Sequence, residues 1–139
     1  MDGVLVFLVA ILIIAVFVFL TISMTKGQKP RFDKEQYQLD LMNIEKGLKE
    51  DNKASYAMTI VSLDKLLDKA MCEKGIAGKT MGDRLKRAGK EQFSQLNSVW
   101  YVHKMRNQIA HEHDFNPDYK QAKRAINVYK QALKDLGAI

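Results

Sequence analysis

The chain has 139 residues, with 22 lysines and arginines, 16 aspartates and glutamates and one cysteine. A single cysteine excludes an internal disulfide, and the length beyond the apolar N-terminal segment allows one domain with one core. All 22 basic residues and all but one of the acidic residues follow that segment, so this part is basic and suits nucleic acid or anionic lipid as a partner.

The first element is an apolar segment long enough to cross a membrane. Residues 3–24 contain no charged side chain, and residues 4–20 are apolar throughout. At about 1.5 Å per residue, a helix of this length spans roughly 33 Å, which covers the hydrocarbon core of a bilayer. A signal peptide is the alternative, but the segment lacks a basic start and a small-x-small cleavage site. We therefore predict a retained single-pass anchor.

The charges on either side of the segment predict its orientation. Asp2 precedes the segment, and several basic residues follow it closely. The positive-inside rule then places the N-terminus outside and residues 25–139 in the cytoplasm, where a lone cysteine stays reduced. The basic flank that we assign to the membrane surface consists of Lys26, Lys29 and Arg31.

A short linker separates the anchor from the domain. Residues 25–32 include Gly27 and Pro30, which break a continuous helix. We therefore divide the chain into an anchor at 1–24, a linker at 25–32 and a cytoplasmic all-α domain at 33–139.

Apolar residues at helical spacing predict four main helices and one short helix in the domain. Cys72 lies on the second of them and is expected to be buried as a small apolar residue; a reactive thiol is the alternative, although no activating pattern surrounds it. Thr80 with Asp83 three residues later predicts a capping box at the start of the short helix. No segment alternates with period two, so we predict an all-α bundle. The predicted ranges are 33–52, 54–74, 81–88, 91–111 and a last helix that begins at an Asn116-Pro117 cap and ends at Gly137.

The helix predicted over 91–111 carries polar residues where its apolar stripe should continue. Polar groups in a core stripe must be hydrogen-bonded, or the site must open to solvent or to a partner. The three polar positions are His103, Asn107 and His111.

Two short strings suggest other chemistry but have the wrong spacing. Gly78-Lys79-Thr80 matches the end of a P-loop, yet Glu73 stands where the first glycine of that motif is required. His111 and His113 cannot share one helical face, and Phe115 stands where a zincin would place its second histidine. We therefore expect no nucleotide site, no metal site and no small-molecule cofactor.

Basic residues are concentrated around the short helix and are opposed there only by Asp83. Such side chains bind RNA phosphates or anionic lipid headgroups, and a merely solvated face is the alternative. The residues that we assign to phosphate or lipid binding are Lys79, Arg84, Lys86, Arg87, Lys90 and Lys104.

The string Arg106-Asn107-Gln108-Ile109-Ala110-His111 indicates chemistry more clearly than any other part of the chain. Arginine stays charged and binds phosphate through two parallel hydrogen bonds, and histidine exchanges a proton near neutral pH. Together they could cleave a phosphodiester without a metal, and they could equally stabilise a helix bundle.

This string resembles the Arg-x(4–6)-His signature of the HEPN superfamily. Asn after Arg, and an aliphatic pair before His, are similar to the toxin-type ribonucleases of that superfamily, and Trp100 and His103-Lys104 precede the string on the same helix. The resemblance covers about residues 33–137, although only the six-residue string and His111-Glu112 are specific. It implies a bundle of four or five helices that dimerises through the helix carrying the motif.

The resemblance also implies metal-independent RNA cleavage. His111 would act as general base or acid on the ribose 2′-hydroxyl, Arg106 would stabilise charge on the phosphate, and Asn107 would orient the groups. Five helical residues rotate by about 500°, which leaves Arg106 and His111 roughly 140° apart. Either the helix ends before His111, or two protomers place their motifs across a shared groove, as the family arrangement has it.

The chain departs from the toxin-type pattern at His113, where those ribonucleases often have a tyrosine that the antitoxin modifies. Many HEPN-like domains are non-catalytic, so the alternative is an interaction module that binds RNA, anionic lipid or a protein partner at the membrane. In that case Arg106 would pair with an acid such as Glu112 or Asp114, and His103 and Asn107 would satisfy buried groups.

Overall fold

The computed structural model describes residues 2–25 and 32–139, which belong to two separate compact units, one up to Arg31 and one from Phe32 onward. The predicted membrane flank at Lys26, Lys29 and Arg31 lies outside the described residues, as does most of the predicted linker.

In the first unit the described residues form one long apolar helix, α1, at Asp2–Thr25. Its stretch Gly3–Ser23 is long and apolar enough to cross a membrane, and no part of that stretch is buried inside the protein. Exposed valine, leucine, isoleucine and phenylalanine side chains along a whole helix are costly in water, so α1 needs an apolar environment. A membrane anchor and a signal sequence near the N-terminus both have these properties.

The second unit is a bundle of five helices, and every buried side chain of its hydrophobic core comes from within the unit. The central helix α3 packs against α2, α5 and α6, while α5 also contacts α4 and α6. The prediction of an all-α bundle with four main helices and one short one is confirmed. The helices are α2 (Lys34–Gly47), α3 (Lys53–Glu73), α4 (Met81–Gln92), α5 (Leu96–His111) and α6 (Tyr119–Leu136).

Side-chain caps define where most of these helices start. Asp33 and Asn52 accept backbone N–H groups at the starts of α2 and α3. Helix α2 ends at Gly47 and not at the predicted residue 52, because Leu48 takes an extended conformation. Thr80 and Asp83 form the predicted capping box of α4. The cap of the last helix lies two residues later than the predicted Asn116, because Asp118 forms a second capping box with Gln121.

The junction between α4 and α5 also differs from the prediction. Helix α4 reaches Gln92 across a kink at Gly89, whose φ of 58° and ψ of −165° are open to glycine but strained for other residues. Phe93 then takes an extended conformation and places its ring in the core. The Ser94 backbone N–H and hydroxyl both donate to the Asp135 carboxylate, at 2.8 and 2.7 Å, so α5 begins at Leu96 and not near residue 91.

Cys72 is exposed, so the prediction that it is buried is wrong. It lies in the last turn of α3, next to Met71, which is fully buried. Adjacent residues of a helix point about 100° apart, so the core covers Met71 and leaves the neighbouring thiol in solvent.

Candidate functional site

An open cleft of about 570 Å³ lies between α3, the start of α4 and α5. It contains the arginine and asparagine of the motif, together with a histidine that precedes them on α5 and carboxylates from α3. The residues around it are Asp64, Lys65, Asp68, Thr80, Met81, Gly82, Asp83, Lys86, Trp100, His103, Arg106 and Asn107.

The Asp64 carboxylate is the centre of a buried polar network at the base of this cleft. It is 5% exposed, and its Oδ1 accepts a hydrogen bond from the Tyr129 hydroxyl at 2.8 Å. The same oxygen lies 3.0 Å from Nδ1 of His103, and Oδ2 lies 3.6 Å from Nε of Arg106. One carboxylate therefore connects α3 to both α5 and α6.

Burial and the nearby carboxylate raise the pKa of Tyr129 well above its usual value, because ionising the phenol would place a second negative charge beside Asp64. Tyr129 therefore remains a hydrogen-bond donor to Asp64 through the physiological pH range. This keeps the carboxylate fixed in position as well as buried.

The His103 imidazole lines the cleft beside Asp64 and is 8% exposed. A neutral ring with its proton on Nδ1 donates to Asp64, which leaves Nε2 as an acceptor. Nε2 lies 3.4 Å from the side-chain nitrogen of Asn107, at the long limit of a hydrogen bond. The Trp100 ring packs edge-on against the imidazole, with ring centroids 5.9 Å apart. Gly82 also lies close to the imidazole, since a Cβ added at this glycine would be 3.7 Å from Nε2.

The Arg106 guanidinium is held on one side and open on the other. Its Nη1 donates to Oδ1 of Asn107 at 3.1 Å, and 32% of the side chain is exposed. Its Nε is buried and has no hydrogen-bond partner in the part of the chain that the structure describes, since 3.6 Å to Asp64 is too long. The ion-pair partner of Arg106 is Asp64 on another helix, and not Glu112 or Asp114, which the alternative prediction named.

His111 lies away from this cleft. It is the last residue of α5 and is exposed, while Arg106 faces the cleft one and a half turns earlier. Helix α5 continues to His111, so it does not end early enough to bring the two side chains together within one chain. The structure therefore joins Arg106 and Asn107 but separates both from the histidine of the motif.

The predicted phosphate- or lipid-binding residues divide into one buried side chain and five exposed ones. Arg84 is 8% exposed and forms two hydrogen bonds with Asp68, at 2.8 and 2.9 Å, and a third with the Gly78 carbonyl. It therefore fixes the start of α4 to α3 and does not belong to the outer basic surface. The exposed five are Lys79, Lys86, Arg87, Lys90 and Lys104.

Three of these exposed side chains share one shallow depression beside the cleft. Lys79, Lys86 and Arg87 surround it together with Gly78 and Asp83. Hydrogen bonds from Thr80 hold the pKa of Asp83 below its usual value, so this carboxylate stays charged and partly offsets the basic residues. Among the described residues no group of three or more His, Cys, Asp or Glu side chains is placed to hold a metal ion.

Sequence reasoning missed Asp64 and Tyr129, the two residues that position His103. The available signal was Asp64 itself, an acidic residue four positions after Ile60 and directly after Leu63 on the apolar face of α3. Comparison of the chain with protein-family models, with curated protein sequences and with solved structures gives no match. Function is therefore inferred from the residues of the site.

Proposed function

We propose that this chain is a membrane-anchored, HEPN-like endoribonuclease that works as a dimer and without a metal ion. The observation that carries the proposal is the Arg106 guanidinium, which is held by Asn107 and Asp64 and is one-third exposed in an open cleft. A guanidinium fixed in this way has donors left for a phosphate group, and it needs little reorganisation to bind one.

The reaction that fits these residues is an internal transesterification. The ribose 2′-oxygen forms a bond to the adjacent phosphorus and loses its proton to a base, while the bond from phosphorus to the 5′-oxygen breaks and that oxygen takes up a proton. Arg106 stabilises the negative charge that develops on the phosphoryl oxygens. The products are a 2′,3′-cyclic phosphate and a free 5′-hydroxyl.

Dimerisation follows from the separation of the motif's two ends. Arg106 faces the cleft and His111 is exposed at the end of the same helix, so one chain does not supply both groups to one phosphate. A second copy docked along α5 would bring its own His111 to the cleft. The dimer interface that we propose is therefore the region of α5 between Arg106 and His111.

A non-catalytic interaction module is the second candidate function, and one observation favours it. Arg106 pairs with Asp64, and His103 with the same carboxylate, so both side chains already have a structural role within one domain. In this case the exposed Lys79, Lys86 and Arg87 would bind RNA, anionic lipid or a protein partner.

We also propose that α1 is a retained anchor with its N-terminus outside and the domain in the cytoplasm. The support is the exposed apolar length of α1 together with the basic residues that follow it in the sequence. Cys72 gives a direct test, because it is exposed and is the one cysteine of the chain. A membrane-impermeant maleimide should label it only after the cells are permeabilised, and labelling in intact cells would reverse the orientation.

The activity is tested with the domain of residues 32–139 and its Arg106→Ala and His111→Ala variants. Each is incubated with RNA oligonucleotides of mixed sequence in EDTA, and the products are analysed for 2′,3′-cyclic phosphate ends. Light scattering on the same preparations gives the molecular mass. We expect the parent to be a dimer that cleaves RNA, and each variant to lose about 100-fold or more in rate.

His113→Ala is the matched control, because His113 is a second exposed imidazole two residues after His111. It should cleave at the parent's rate. A folded dimer that does not cleave RNA, with the Arg106→Ala variant destabilised, would favour the interaction module. A strictly monomeric parent that cleaves RNA would contradict the proposed shared site.

A further inference from the structure

The cleft contains an imidazole that the motif does not include. His103 and Arg106 are three residues apart on α5, so their side chains point about 60° apart and both line the cleft, whereas Arg106 and His111 point roughly 140° apart. The histidine that shares a cleft with Arg106 within one chain is therefore His103.

We propose that His103 is the general base that takes the proton from the ribose 2′-hydroxyl, an inference that rests on the proposed ribonuclease function. Its Nε2 is the ring nitrogen turned away from Asp64, and it lies on the side of the cleft that Asn107 also lines. The contact of Nε2 with Asn107 is 3.4 Å long, so a substrate hydroxyl can replace it at little cost. Asn107 thus contacts both this acceptor and the Arg106 guanidinium that would bind the phosphate.

Asp64 and Tyr129 act as positioning residues for this base. Asp64 holds Nδ1 at 3.0 Å and so fixes both the orientation of the ring and the position of its proton. When Nε2 accepts a proton, the buried carboxylate stabilises the imidazolium that forms. The Tyr129 hydroxyl, 2.8 Å from the same oxygen, keeps Asp64 in place.

The two histidines then have different roles. The 2′-hydroxyl proton passes to Nε2 of His103 as the bond from the 2′-oxygen to phosphorus forms. The bond from phosphorus to the 5′-oxygen breaks, and that oxygen takes its proton from the imidazolium of His111 on a second copy of the chain. Arg106 stabilises the phosphoryl oxygens throughout.

The test uses the full chain in detergent micelles and the variants His103→Asn and His111→Asn. An asparagine at position 103 places its amide nitrogen near the position of Nδ1, so it can still donate to Asp64 while it removes Nε2. We expect each variant to lose at least about 100-fold in cleavage rate on ordinary RNA oligonucleotides of mixed sequence. His113→Asn is the matched control and should retain the parent's rate.

A second substrate distinguishes the general base from the general acid. It carries sulfur in place of the bridging 5′-oxygen at the cleaved linkage, and a thiolate leaves without needing a proton. On this substrate His111→Asn should recover to within a few-fold of the parent, and His103→Asn should remain at least about 100-fold slower. Circular dichroism melts show whether each variant is folded, and His103→Gln replaces any His103→Asn protein that is not.

The outcomes separate this inference from the proposed function. A parent that cleaves RNA, with a folded His103 variant that cleaves equally well, would overturn the role of His103 and leave the ribonuclease in place. Recovery of His103→Asn on the sulfur substrate, with His111→Asn still slow, would exchange the two roles and also overturn the inference. A parent that cleaves neither substrate would overturn the proposed function and the inference together.

Discussion

Replacement of Asp64 by alanine tests whether one carboxylate stabilises the junction of α3, α5 and α6. The change leaves the Tyr129 hydroxyl, which is completely buried, and Nδ1 of His103 without their acceptor, and it leaves Arg106 without its counter-charge. Each unsatisfied buried donor costs about 1–3 kcal/mol, and removing one partner of a buried charge pair costs about 3–5 kcal/mol. Because Arg106 and the cleft are partly open to water, we expect a loss of about 3 kcal/mol in the free energy of unfolding.

The measurement is urea unfolding of residues 32–139 followed by circular dichroism, since this part of the chain has its own complete core. Tyr129→Phe removes one hydrogen bond to a carboxylate and should cost about 1.5 kcal/mol or more. The double variant should cost less than the sum of the two single changes by about 1 kcal/mol, because the residues are in direct contact. Asp114→Ala, at an exposed acidic residue, is the control and should stay within about 0.5 kcal/mol of the parent. A loss below about 1 kcal/mol for Asp64→Ala, or additive single changes, would refute this account of the network.

Three further predictions concern the backbone and the titratable groups. Gly89→Ala should lower the free energy of unfolding by about 1 kcal/mol or more, because φ of 58° is strained for alanine; an unchanged urea midpoint would show that the kink is not needed. Asp83→Asn should make the protein less resistant to acid, because hydrogen bonds from Thr80 lower the pKa of Asp83 in the folded state. The contribution of Asp83 to the free energy of unfolding is complete above the unfolded pKa of ~3.9 and is lost as pH falls through the lower folded pKa. Acid unfolding of parent and variant measures this, and identical acid midpoints would contradict it. Burial raises the pKa of Tyr37 and Tyr129, so their neutral forms add stability that is complete below about pH 10 and is lost as pH rises through the folded pKa values. Ultraviolet titration should find both phenols still protonated above pH ~10 until the protein unfolds. Ionisation of either phenol in the folded state would contradict this.

The helices of the domain could be predicted because the residues that indicate them are close together in the sequence. Apolar residues at steps of three and four mark the buried face of each helix, and the Thr80–Asp83 capping box is visible as two residues at fixed spacing. The predicted boundaries failed where a tertiary contact decides them. Ser94 leaves helical geometry because it binds Asp135 on α6, which is 41 residues away in the sequence.

The candidate site could be predicted only in part, for the same reason. Arg106, Asn107 and His103 lie on one helix, so their spacing predicts that they are neighbours. Asp64 precedes His103 by 39 residues and Tyr129 by 65, so no local spacing brings them together. Which histidine shares the cleft with Arg106 depends on how α3 packs against α5, and this is set by the whole core.

The position of Asp64 limits how such a site could change over time. Because the same carboxylate connects three helices and orients His103, a substitution that adjusts the imidazole also alters the stability of the fold. Adaptation to a new ligand would therefore favour residues at the rim, such as Lys65 and Lys86, which are exposed and lie outside the buried network. Ligand specificity can therefore change through residues at the rim of the cleft while the buried network around Asp64 stays the same. A directed-evolution library should mutate the rim residues first.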